Sequence, residues 1–161
     1  MSNCLLIVDV QQGFVNAHSA HVPERVACLQ HEYARVYATR FFNPPASLHR
    51  RLIGWQRMAH GSDEWALAFA PRVDCLIIDK CIYTCVSPGF VAELRGNGID
   101  RVDICGIDTD ICVTKCAVDL FEHGIVPRVL ANACGSHAGS DAHERGLQVL
   151  ERFIGRRQVV R

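Results

Sequence analysis

Six short runs rich in valine, isoleucine and leucine recur along this chain, each separated from the next by a longer segment of mixed or helical period. That alternation is the pattern of a parallel sheet covered by helices on both faces. The runs are CLLIVDV (Cys4 to Val10), YARVYATR (Tyr33 to Arg40), DCLIIDK (Asp74 to Lys80), RVDICGI (Arg101 to Ile107), IVPRVLA (Ile125 to Ala131) and, weakest, RQVVR (Arg157 to Arg161). Their continuous apolar character suits strands buried on both faces. Helical period is predicted over Pro23 to His31, Leu48 to Met58, Pro88 to Arg95, Thr109 to His123 and Asp141 to Phe153, with Gly96, Gly98 and Gly124 as stops and Pro44 and Pro45 holding one loop extended. At 161 residues the chain has the length of one ordinary domain. The expectation is a single doubly wound α/β domain over residues 1–161, built on a six-stranded, mainly parallel sheet.

Charge excludes some partners. Lysine plus arginine and aspartate plus glutamate number 17 each, and apart from the terminal GRRQVVR the basic residues are scattered. No stripe suggests nucleic acid. The opening MSNCLLIVDVQQ has no basic flank, and Asp9 breaks its apolar run well short of a signal core or membrane span. A cytoplasmic protein with no membrane partner is expected. The nine cysteines are odd in number and several sit in apolar runs, so they read as reduced thiols and not as a disulfide framework.

In sheets of this kind ligands gather beyond the carboxyl ends of strands, where strand order reverses. Asp9 ends the first strand, Lys80 the third, and GIDTDIC follows the fourth. Cys112 falls where the next helix should begin, with Thr109 or Asp110 as its cap, and helix-start amides together with a nearby ammonium favour a thiolate. Asp9 could take the thiol proton, Lys80 could hold Asp9 ionised, and the same amides could form an oxyanion hole. The plainer alternative is a packed cysteine, a turn-forming aspartate and a solvated lysine.

The segments LLIVDVQQGFV, ATRFFNPPASL, IIDKCIYTCV, VDICGIDTDICVTKCAVDLFEHGI and ANACGSHAGSDAHERGLQVL together resemble the isochorismatase-like cysteine hydrolases, which include nicotinamidases and N-carbamoylsarcosine amidohydrolase. The resemblance implies an Asp-Lys-Cys triad at Asp9, Lys80 and Cys112, a cis peptide at Ile107-Asp108, and an oxyanion hole from the N–H groups of Asp108 and Cys112. It further implies hydrolysis of a small amide or related C–N bond, with Asp9 taking the thiol proton and later giving one to the departing amine, and association into dimers or tetramers. Metal-dependent nicotinamidases carry an Asp-x-His pair and a further histidine after the second strand. Here that loop reads RFFNPPASLHRR, so no cofactor and no metal is expected, with His49 and His60 as the remaining histidines.

Phe14, Phe41, Phe42, Trp55 and Tyr83 stand near strand ends or loops. Of these, Phe14, Phe42 and Tyr83, with Gln11, are taken as substrate-binding candidates. No CxxC pair exists, and Cys116 and Cys85 follow Cys112 and Cys81 by four residues. His137 and His143 have no spacing that ties them to the thiol and read as structure around the pocket. Three rival functions stay open: a vinyl-ether hydrolase, whose members generally lack the cysteine; a non-catalytic binding protein on the same fold; and a redox thiol protein in which Cys116 or Cys134 would resolve Cys112.

Overall fold

A computed structural model describes residues 4–161 of the chain. Its sheet has six strands, β1 (Cys4–Val8), β2 (Arg35–Phe41), β3 (Leu76–Lys80), β4 (Arg101–Ile107), β5 (Val126–Gly135) and β6 (Val159–Val160), in the order β3-β2-β1-β4-β5-β6. Every pairing is parallel. The chain runs outward from β1 to β3 and returns to β1's other side as β4, so strand order reverses between β1 and β4. Among the described residues five α-helices accompany the sheet: α1 (Val22–Leu29), α2 (Leu48–Leu52), α3 (Pro88–Gly96), α4 (Thr114–Glu122) and α5 (Ser140–Ile154). No helix among the described residues is long and apolar enough to cross a membrane.

The central strands are as buried as their composition demands. All five residues of β1 lie in the core, as do Val36, Tyr37 and Ala38 of β2 and Val102, Ile104, Cys105 and Ile107 of β4. Strand β3 departs from the expectation of two buried faces. It is the sheet edge, and Leu76 and Ile77 stay exposed. On the neighbouring strand, Tyr37 meets Phe90 of α3 edge to face at 5.0 Å and donates its hydroxyl to Glu93 at 2.8 Å. Helix α3 starts as its sequence dictates, with Pro88 in the first turn and the Ser87 hydroxyl accepting from the Phe90 N–H at 3.1 Å.

Several boundaries differ from the periodicity. Strand β1 stops at Val8 because Asp9 turns to a φ of 49°. Helix α2 ends at Leu52, six residues before the predicted stop, and Gly54 follows with a φ of 75°. The long helix predicted from Thr109 is two pieces, a wide π turn over Thr109–Val113 followed by α4. At the reversal β1 and β4 approach closely at Gly106, whose φ is 127°. A Cβ there would lie 2.1 Å from the Val8 carbonyl oxygen, so only glycine fits.

Candidate active site

The strand order brings Asp9, Lys80 and Cys112 together at the carboxyl end of the sheet. Asp9 lies just past β1, Cys112 lies in the turn after β4 on the other side of the reversal, and Lys80, the last residue of β3, reaches across the end of β2. The Lys80 ammonium donates to Asp9 Oδ2 at 2.6 Å, to the Ile82 and Tyr83 carbonyls at 3.1 and 3.0 Å, and stands 3.9 Å from Cys112 Sγ. The other Asp9 oxygen accepts from the Thr39 hydroxyl at 2.6 Å, which in turn accepts from the Asp9 N–H at 3.0 Å. Thr39 had no signal in the sequence. It reaches Asp9 only because β1 and β2 pair in this register, Ile7 beside Ala38.

Burial decides the charges. It is the largest single influence on Lys80 and works against the ammonium, but the charge and hydrogen bond of Asp9 together with the neighbouring Cys112 and Cys116 outweigh it and hold the lysine above its ordinary range. Cys112 is pushed well above the ordinary thiol value, first by burial and then by the Asp9 charge, with Lys80 opposing. This corrects the expected resting thiolate. Cys112 sits in the π turn and not in the first turn of a free helix end, and it is only 8 % exposed. The surroundings favour the thiol form of Cys112 over the thiolate.

Above the cluster opens a pocket of ≈ 280 Å³ whose walls include Phe14, Phe41, Trp55, Tyr83, Ile53 and Ile111, with Cys112, Asp108, His49 and His137 among them. Phe14 stacks on Trp55 at 6.1 Å and Tyr83 meets His49 edge-on at 5.0 Å. Two of the substrate-binding candidates stand elsewhere. The Gln11 amide donates to the Phe41 and Trp65 carbonyls at 3.0 and 2.7 Å and accepts from the Phe41 N–H at 2.7 Å, which ties the end of β2 to a neighbouring loop. Phe42 faces away from the pocket walls and packs edge-on against His60 at 5.3 Å. Sequence alternation could not separate Phe41 from Phe42 once the strand ended between them.

The donor set does not fit a metal. Asn43 donates to the Trp55 and Arg57 carbonyls and accepts from Ser47. His49 lies against Phe41 and Tyr83, whereas His60 lies against Phe42 and Trp65. Among the described residues no three of His, Cys, Asp and Glu cluster as ligands. Nε2 of His49 is buried with no hydrogen-bond partner among the described residues, and burial, aided by Lys80, keeps this imidazole's pKa low. Two further features, besides Thr39, escaped the sequence. Cys85 and Cys116 meet at 3.9 Å between sulfurs, and His137 and Asp108 form a bonded pair at 2.6 Å.

A parallel sheet with a buried cysteine, carboxylate and ammonium gathered at its strand-order reversal, opening to a small apolar pocket, places this chain among the α/β proteins whose candidate site lies at the switch point of the sheet. The sequence matches the isochorismatase domain over residues 3–156, and the chain belongs to that family of hydrolases. It is 29% identical over 160 residues to the nicotinamidase/pyrazinamidase of Mycobacterium tuberculosis, covering 80% of this chain and 83% of that one. Among solved structures, the fold is similar to the pyrazinamidase of Pyrococcus horikoshii in complex with zinc, with a TM-score of 0.85, 24% identity, and 99% and 98% of the two chains covered. It is also similar to the N-carbamoylsarcosine amidase of Thermoplasma acidophilum, with a TM-score of 0.77, 22% identity and 93% of each chain covered.

Proposed function

We propose that this chain hydrolyses a small carboxamide or related C–N bond through a thioester on Cys112. The observation that carries the reading is the buried Asp9–Lys80 pair, 2.6 Å apart, set 3.9 Å from the Cys112 sulfur beneath an aromatic pocket. Cys112 Sγ attacks the carbonyl carbon as its proton passes to Asp9, which converts a weak thiol nucleophile into a strong one only at the moment of attack. Lys80 holds Asp9 in place through the 2.6 Å ion pair. The N–H groups of Asp108 and Cys112 receive the developing oxyanion. The amine leaves, a thioester remains, and water hydrolyses it.

The names of the relatives, nicotinamidase, pyrazinamidase and N-carbamoylsarcosine amidase, support an amide as the substrate class. The pocket supports a small, flat, mostly apolar acyl part, received by Phe14, Trp55 and Tyr83, with the orphan His49 nitrogen available to a distal polar atom. We take residues 1–161 as one functional unit. Nine free cysteines suit a reducing, cytoplasmic setting, and the exposed Leu76 and Ile77 of the edge strand suit association with a second copy.

The test is a screen of primary amides, carbamoyl compounds and ureido acids for ammonia release, with nicotinamide and pyrazinamide first and Cys112→Ala as the blank. A working substrate should leave an adduct of acyl mass on Cys112 under rapid quench. Turnover that persists in Cys112→Ala, with no adduct on the unaltered chain, would refute the reading.

A further inference from the structure

The groups that activate Cys112 lie under the pocket floor. Asp9 is wholly buried, with one oxygen bonded to Thr39 and the other to Lys80. That carboxylate is placed to exchange a proton with the sulfur beside it. The departing amine and the incoming water would stand on the pocket side of Cys112, where a group on the pocket wall is positioned to exchange protons with them.

The pocket wall holds two imidazoles. His49 is wedged between aromatic rings and kept neutral by burial. His137 is held differently. Its Nδ1 lies 2.6 Å from Asp108 Oδ2, and its backbone N–H donates to Asp108 Oδ1 at 2.8 Å. One carboxylate therefore fixes both the ring and the chain that carries it. Phe14 and Trp55 flank the ring, each at 5.7 Å between centroids. With Nδ1 turned to Asp108, Nε2 is left without a hydrogen-bond partner among the described residues, in a side chain that shares the pocket wall with Cys112.

We propose that His137, oriented by Asp108, is a second catalytic proton carrier: it protonates the departing amine and then takes a proton from the water that attacks the thioester. The inference rests on the thioester reading and reassigns the amine's proton from Asp9 to His137. In the first half-reaction the C–S bond forms, the thiol proton moves to Asp9, the C–N bond breaks, and the imidazolium gives its proton to the amine. In the second, water adds to the thioester and its proton goes to Nε2, the C–S bond breaks, and Asp9 returns its proton to the sulfur. The site ends as it began, with one amide and one water converted to an acid and an amine.

Charge around the ring favours the imidazolium. The Asp108 bond raises its pKa above the ordinary histidine value, more than burial lowers it, with Asp110 adding to the rise and Arg57 opposing it. From the segment of Phe14, the neutral Asn16 donates its amide to the His137 carbonyl at 2.8 Å, and the titratable His21 lies 3.0 Å from the Cys134 carbonyl.

The experiment compares two leaving groups on one acyl group, nicotinamide and the 4-nitrophenyl ester of nicotinic acid, by rapid quench and intact mass. Nitrophenolate departs without a proton, so acylation of His137→Gln by the ester should stay within a few-fold of the unaltered chain. Acylation by the amide should fall about 10²- to 10⁴-fold, the range of general acid–base catalysis, and release of the adduct should slow for both. Asp108→Asn keeps the imidazole but removes the charge that favours its protonated form, so the alkaline limb of amide acylation should move to lower pH. An unchanged amide-to-ester ratio in His137→Gln, an unmoved limb in Asp108→Asn, or an unaltered chain that accepts only the ester would each overturn the inference. Absence of any Cys112 adduct with both compounds would instead sink the thioester reading and this inference with it.

Discussion

Replacing Lys80 by methionine keeps most of the side chain's length and removes only its charge. In the folded chain that charge lies 2.6 Å from Asp9 Oδ2, with the two side chains 4 % and 0 % exposed. Water cannot take its place. Breaking a buried pair from one side leaves an uncompensated charge and costs about 3–5 kcal/mol, which for a chain of this length lowers the melting temperature by roughly 6–20 °C at about 2–4 °C per kcal/mol. Asp9→Asn should cost a comparable amount, because the ammonium then keeps only the Ile82 and Tyr83 carbonyls. The double variant removes both charges at once. It should lose less than the sum of the two, by a coupling of about 2 kcal/mol or more. Urea unfolding followed by circular dichroism measures all four proteins, and an unchanged slope would show that the denatured state is not the cause. A loss under about 1 kcal/mol for Lys80→Met, or simple additivity in the double variant, would mean that water screens the pair, and the account of a sealed triad would fall.

The thiol's raised pKa reverses the labelling order expected of a resting thiolate: iodoacetamide at neutral pH should reach the exposed Cys28 and Cys81 before Cys112. Cys112 labelling should rise only at alkaline pH, and peptide mapping reads the order. Amide turnover should survive treatment with a chelator, since among the described residues no three of His, Cys, Asp and Glu cluster as ligands and Asn43 is bonded to backbone carbonyls, and lost activity restored by zinc would contradict the donor geometry. Gly106→Ala forces a Cβ to within 2.1 Å of the Val8 carbonyl oxygen at a φ of 127°, for an expected loss of about 2–6 kcal/mol from strain and overpacking. Gly61→Ala, at a φ of 79° with nothing within 4 Å, should cost only about 1 kcal/mol and serves as the control in the same unfolding assay.

What was legible in the sequence is what local chemistry determines. Apolar runs of strand length between helical segments placed β1, β2, β3 and β4 within a few residues. Asp9, Lys80 and Cys112 could be put at strand ends because side-chain period and turn residues act over a few positions. Helix α3 was predicted from Pro88 to Arg95 for the same reason and is observed over Pro88–Gly96. Where a single residue redirects the backbone, the period misled: Gly54 follows a helix predicted to run to Met58, and the wide turn at Thr109–Val113 replaced a regular helix start.

The site itself required the tertiary structure. Thr39 meets Asp9 across 30 residues through strand register, and His137 meets Asp108 across 29, with no spacing rule to announce either. Register also separated Phe41, which lines the pocket, from its neighbour Phe42, which does not. The charge state of Cys112 depends on what surrounds it. The motif alone suggested a thiolate stabilised by a helix end, whereas burial and the adjacent carboxylate favour the thiol. Sequence pattern reports the environment that a residue's own neighbours create. Proton affinity and hydrogen-bond partnership are set by groups that only the packed sheet brings within a few ångströms.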